Sequence, residues 1–221
     1  MRFLALVLLL AAPAAHADAE AWRGVYGGFG IGGGNARSTW VTDATFGTLD
    51  ETVEHSGRSA AFGAQYGYRR PISGPLLWGV ELAWYAAHME DRADANITGV
   101  SGRERVTKVL HPLSLAAQLG IAGSHSLLYV RGGLAYARIE LQAINHQVGN
   151  VATWEGHATG WTAGAGVEFK VRKHWSLGVE YDYAKLRASD MTTINSGGET
   201  VHTADFRTRV NLFLLRANYL Y

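Results

Sequence analysis

The chain contains no cysteine, which removes disulfide frameworks and thiolate metal sites together. Only 4 prolines fall in 221 residues, too few for a Pro-rich linker or a disordered tract. Beyond the N-terminus no apolar run reaches the ~18 residues of a membrane-spanning helix. A charge excess is missing too: the formal net charge is +1, without the basic balance that nucleic-acid binding requires. No linker or low-complexity stretch divides the chain, so one domain is expected.

Glycine is abundant, at 27 residues, and so is alternation of period two. Residues 159–183 show it best. Trp161, Ala163, Ala165, Val167 and Phe169 share one parity, and Gly160, Thr162, Gly164, Gly166 and Glu168 the other. After a basic step at 171–174, Leu177, Val179, Tyr181 and Tyr183 alternate with Ser176, Gly178, Glu180 and Asp182. Successive side chains of a strand point to opposite faces, so this is a hairpin. One face is apolar with aromatic ends, and the other is small or charged. That combination suits a narrow barrel with lipid outside.

The same logic recurs over residues 22–33, 59–69, 76–86, 109–121, 127–139 and 206–221. The expected fold is all-β: an eight-stranded antiparallel up-and-down transmembrane β-barrel over residues 18–221. Pro112 is expected to mark the outer end of the fourth strand. Residues 1–17 read as a cleaved signal peptide, with Arg2, an apolar run and the small-x-small site Ala15-His16-Ala17. Short connections at 70–75, 122–126 and 170–174 belong on the periplasmic side, and long loops at 34–57, 87–104, 141–157 and 186–205 outside the cell. A soluble eight-stranded carrier would need an apolar interior, whereas the inward parity reads as Gly, Ser, Gln, Glu and Arg.

The run Gly28-Phe-Gly30-Ile-Gly-Gly33 matches GxGxxG formally. A dinucleotide fingerprint must open a helix, and no helical periodicity follows. Catalytic pairs are also lacking. His111 and Ser114 are three apart on a strand and so face opposite ways; His125 and Ser126 sit in a turn. No catalysis and no cofactor are expected. His55, His88, His146, His157 and His202 gather in or beside the long loops, but none has recognised metal-ligand spacing, and solvated histidines are the favoured reading over a metal or haem site. The sequon Asn96-Ile-Thr98 carries little weight. The loops hold twelve Asp and Glu against Arg37, Arg92, Arg103 and Arg187.

Counting five residues inward from the periplasmic ends brings Gln65, Glu81, Glu180 and Arg216 to one depth, with Arg131 almost level. Glu180 and Arg216 lie on neighbouring strands, and Glu81 and Arg131 flank Ala116. A charged layer closing the lumen is the expectation, because buried ions persist only when paired or watered.

Several stretches resemble the small Gram-negative outer-membrane barrels of the surface-antigen and opacity-protein-like group, related in architecture to the barrel of outer-membrane protein A. They are Trp22-Arg-Gly-Val-Tyr-Gly-Gly, Leu128-Tyr-Val-Arg-Gly-Gly-Leu-Ala-Tyr136, Gly160-Trp-Thr-Ala-Gly-Ala-Gly-Val-Glu168, Trp175-Ser-Leu-Gly-Val-Glu-Tyr181 and Arg216-Ala-Asn-Tyr-Leu-Tyr221. The likeness covers the barrel and not the loops. It implies an integral outer-membrane protein, a monomer in contact with outer-membrane lipid and lipopolysaccharide. It also implies handling by the outer-membrane assembly machinery, which reads a last strand ending here in Tyr219 and Tyr221. Members of that group often carry two inward arginines late in the fourth strand, where this chain has Ala116 and Gln118, so a thinner interior network is expected. A structural, envelope-integrity role with exposed loops is the first functional reading. Binding of a host or haem ligand by the loops is the alternative, and a small pore the third.

Overall fold

The structure, a computed structural model, describes residues 18–42, 53–94, 103–145, 150–194 and 200–221. The signal segment, the sequon and His146 lie outside these residues. Eight antiparallel strands follow a single-turn 3₁₀ helix, Ala19–Trp22: β1 Gly24–Thr42, β2 Val53–Ser73, β3 Leu76–Asp94, β4 Arg103–Ala122, β5 Ser126–Asn145, β6 Asn150–Arg172, β7 Trp175–Ile194 and β8 Thr200–Leu220. Each pairs with its sequence neighbours, and β1 pairs with β8, so the sheet closes into a barrel without a free edge. Closure satisfies the backbone groups internally, as a lipid environment demands.

Alternation sets the facing. Phe29, Tyr66, Leu82, Leu119, Leu134 and Phe213 are exposed on the outer wall, while Tyr26, Gln65, Glu81, Gln118, Arg131 and Leu214 are buried within. The outer apolar stretch is nine residues long on β7 (175–183) and on β8 (213–221). That is the length of a tilted strand crossing a bilayer. Trp78, Tyr68, Trp175 and Tyr221 edge it on the periplasmic side, and Trp84, Tyr136 and Trp161 on the other.

The structure departs from the sequence expectation in five places. The strands run to 19–23 residues, so most of each expected long loop is paired strand, and only 43–52, 95–102, 146–149 and 195–199 lie outside the description. At about 3.3 Å per residue the strands measure about 60–75 Å. Tilted by about 40°, they span roughly twice the ~25 Å apolar band. Alternation is enforced only where one wall meets lipid; above it, the ladder continues through polar sequence at no desolvation cost.

Pro112 does not end its strand. One extra residue in β4 at His111–Pro112, and another in β3 between Trp84 and His88, shift the register. His111 adopts φ 49° there, and its ring stacks on Trp84 at 5.8 Å. The β4 bulge flips the alternation, so Val109 stands opposite the lumen residue Ile139. The turn expected at 70–75 is tighter: β2 carries Pro71 to Ser73, and Gly74 at φ 53° makes the reversal. Trp22 belongs to the 3₁₀ turn and not to β1. Finally, the lumen is not polar throughout. Towards the cell exterior it is packed with Tyr85, Ile139, Leu186, Leu212, Leu214 and small residues.

The facing assignment makes a testable claim. Val130, exposed on the outer wall opposite Ala165 in the middle of its apolar stretch, becomes a charge in lipid as Val130→Arg. The expected cost is about 2–4 kcal/mol, measured as a shift in the urea midpoint of refolding into lipid vesicles. An unshifted midpoint would place this wall in water.

Candidate functional site in the lumen

The barrel's polar chemistry is concentrated in the periplasmic half of the lumen. Arg131 Nη1 donates to Glu81 Oε1 and to Glu180 Oε1, each at 2.9 Å. Arg216 donates through Nη1 to Glu180 Oε2 and through Nη2 to Glu81 Oε2. Each carboxylate therefore bridges both guanidiniums with separate oxygens, and the four groups form a closed ring of alternating charge. All four side chains are at most 1% exposed. In so dry a site a lone ion is very costly; the ring pairs every charge, while Nε of Arg131 and Nε of Arg216 are buried without a hydrogen-bond partner.

Tyrosines complete the carboxylates. Tyr26 Oη donates to Glu81 Oε2 at 2.6 Å, and Tyr129 Oη to Glu180 Oε2 at 2.7 Å. The two contacts are built alike. Tyr26 (β1), Gly67 (β2) and Glu81 (β3) lie in one cross-strand row, as do Tyr129 (β5), Gly166 (β6) and Glu180 (β7). A Cβ at either glycine would sit 2.5 Å from the tyrosine oxygen, so the phenol reaches its carboxylate only across a bare backbone. β1 and β5 stand four strands apart, on opposite sides of the tube, so the two rows are related by a pseudo-twofold.

Below the ring lies a second layer. Arg69 forms a bidentate pair with Glu168, at 2.6 and 3.1 Å, both side chains fully buried. Ser176 Oγ donates to Glu168 at 3.0 Å. Gln118 joins the layers: its Oε1 accepts from Arg69 Nε at 3.3 Å and its Nε2 donates to Glu81 at 3.1 Å. The Arg69 guanidinium rests 4.0 Å over the Tyr26 ring, a cation–π contact strengthened by burial. Below that, Trp22 is fully buried and closes the periplasmic mouth together with Leu77, Leu127 and Leu220. Its Nε1 donates to Gly123 O at 2.8 Å, and Lys170 Nζ donates to Ala21 O to hold the turn in place.

Of the five residues expected in the layer, Glu81, Arg131, Glu180 and Arg216 come together. Gln65 does not. Its Nε2 donates to Asn218 Oδ1 at 2.8 Å across Gly28, where a Cβ would lie 2.2 Å from that oxygen. Beside Ala116 and Gln118, which stand where arginines were looked for, Arg69 and Glu168 supply a second ion pair. Sequence reasoning counted residues at a single depth and assigned neither of the two to a layer. Asp182 was also missed as a partner; it accepts from Thr162 Oγ1 at 2.9 Å and stands 4.0 Å from Arg131. Tyr219 is half-buried between His174, Trp175 and Tyr221, and Tyr221 is exposed.

No group of three His, Cys, Asp or Glu among the described residues is arranged to hold a metal ion. His157 stacks on Tyr136 at 5.3 Å and shares a 2.6 Å hydrogen bond with its hydroxyl. The side chains of His55, His88 and His202 lie outside the description. Ser114 accepts from Arg131 at 2.9 Å inside the lumen, while His111 is exposed on the outer wall.

A closed eight-stranded barrel with a lipid-facing apolar band and an ion-paired lumen defines an integral outer-membrane barrel protein. The profile described as "Outer membrane protein beta-barrel domain" matches residues 4–212, and the chain belongs to that family. The chain is 27% identical over 195 residues to the 31 kDa outer-membrane immunogenic protein of Brucella melitensis, and equally so to that of Brucella suis, covering 83% of this chain and 79% of each relative. Among solved structures it is similar to the outer membrane protein OprG of Pseudomonas aeruginosa. That match has a TM-score of 0.55 at 12% identity, over 90% of this chain and 97% of the other, a likeness of fold alone.

Removing one guanidinium leaves two buried carboxylates to share the other. Arg216→Ala is expected to cost about 3–5 kcal/mol, as breaking a buried pair does. Glu180→Gln with Arg216→Gln should cost less than the two single changes together, read from urea unfolding in detergent. Gly166→Ala, which displaces Tyr129 from Glu180, should cost about 1–3 kcal/mol, the penalty of an unmet bond to a buried charged group.

Proposed function

We propose that this protein is a closed, non-conducting barrel that strengthens the outer membrane and carries its hairpins above the bilayer for surface contact. It performs no catalysis in this reading. The observation that carries the proposal is the filling of the tube in series: the Trp22 mouth, the Arg69–Glu168 layer, the four-membered ion ring, then the apolar packing around Leu212 and Leu214. An eight-stranded barrel leaves an interior just wide enough for side chains, so layers stacked in this way leave no water path. Four strand pairs rising beyond the apolar band favour the second reading, contact with a host component or ligand at the hairpin tips. The Brucella relatives are named as immunogenic, and hairpins held clear of the membrane would leave this chain open to surface contact.

Wild-type protein in planar bilayers should show no steady conductance, and a stable open state would instead support the pore. A deletion strain should become detergent-sensitive while purified protein binds neither haem nor matrix components; the reverse pattern would favour surface binding. Handling by the assembly machinery is part of the same proposal. A chain lacking Tyr219–Tyr221 should accumulate unassembled in the periplasm, without heat-modifiable gel mobility.

A further inference from the structure

On the outer wall, just beyond the apolar band, the register lines up cations. Lys185 of β7 stands opposite Arg209 of β8, which stands opposite Arg37 of β1. One step further out, Arg187 stands opposite Arg207. The four arginines are exposed and Lys185 is half-buried. None of the five makes an ion pair with any described residue. Directly opposed residues lie about 5 Å apart at Cβ, and like charges there oppose pairing of the strands. Nothing in the packing of the described residues calls for them.

Immediately on the membrane side of this row, the same strands form a groove of about 680 Å³. Gly33, Asn35 and Ala60 floor it, and Tyr181, Asn211 and Phe213 wall it. Gly33 is opposite Phe213, Asn35 opposite Asn211, and Arg37 opposite Arg209, so groove and cations follow one another along β1 and β8. Tyr181 Oη donates to Asn211 Oδ1 at 2.6 Å, fixing the upper wall. Tyr181 and Phe213 belong to the lipid-facing band, so the groove opens sideways into the bilayer, where only a lipid chain can enter it.

From this juxtaposition we infer that the β7–β8–β1 wall is a binding site for a phosphorylated glycolipid of the outer leaflet. An acyl chain lies in the groove, and the headgroup phosphates sit on Lys185, Arg209 and Arg37. Phosphate supplies a counter-charge that no described residue gives the row, and Arg and Lys are the side chains suited to it. The inference goes beyond the structural role proposed above and does not depend on whether the lumen conducts.

Native mass spectrometry of the detergent-extracted full-length protein tests it with three probes. These are a bis-phosphorylated disaccharide lipid, the same lipid after phosphatase treatment, and a soluble polysulfated sugar. Wild type should retain the phosphorylated lipid about tenfold more than the dephosphorylated one, a difference of about one decade in affinity. The K185Q/R209Q/R37Q variant, its fold checked by heat-modifiable mobility, should lose that preference. Ala60→Phe, which fills the groove, should weaken lipid retention and leave the soluble sugar untouched. Equal retention of the two lipids by wild type overturns the inference without reference to any variant. So does an undiminished preference in the folded triple variant. If Ala60→Phe has no effect while the polysulfated sugar displaces lipid, the row serves a soluble polyanion and the lipid site is refuted.

Discussion

Ionised side chains enclosed in a tube of eight strands must neutralise one another, and the periplasmic half of this barrel is built around that requirement. Glu81 and Glu180 each divide their two oxygens between Arg131 and Arg216. The four groups come from β3, β5, β7 and β8, and only Glu180 and Arg216 share a hairpin, so no hairpin completes the ring alone. Apart from the paired β7 and β8, the ring ties together strands that are not neighbours, and it does so at a depth where water is excluded. Its strength is conditional. A complete ring is tolerated, and an incomplete one is far worse than an apolar filling.

Glycine makes the ring sterically feasible. Long polar side chains face each other across a glycine in several rows: Tyr26–Gly67–Glu81, Tyr129–Gly166–Glu180, Arg69–Gly79–Gln118, Arg131–Gly164–Asp182 and Gln65–Gly28–Asn218. In each row the middle strand surrenders its side chain so that its two neighbours can meet. The glycine run of β1 that imitates a nucleotide fingerprint has this origin. Gly28 makes room for Gln65 and Asn218, and a Cβ at Gly32 would lie 1.9 Å from the Phe213 carbonyl oxygen.

How far the sequence could be read follows from the same physics. Strand number, facing and closure were legible because lipid on one wall forces strict alternation through every crossing. Four members of the ring were legible because strand depth can be counted from the short turns. Gln65 went astray because depth alone does not say which neighbour has a glycine to reach across. The Arg69–Glu168 layer was overlooked because the count was made at one depth, and this layer lies below it, nearer the Trp22 mouth. Strand ends beyond the apolar band were illegible, since nothing there compels alternation, and the two bulges reverse it at β3 and β4. The cation row on the outer wall escaped notice because Lys185, Arg207 and Arg209 are scattered in sequence and meet only in register.

Arg216 is the last charged side chain of the chain, on the strand that closes the barrel against β1. Glu81 and Glu180 are both made earlier, and until β8 docks they have Arg131 alone between them. Seven strands therefore form a sheet with a surplus negative charge turned towards its concave side. The final strand supplies the missing cation in the same movement that joins the first edge to the last. Closure of the backbone and neutralisation of the interior thus depend on the same strand, and a sheet that closed out of register would bring its arginine to the wrong height and find no carboxylates to receive it.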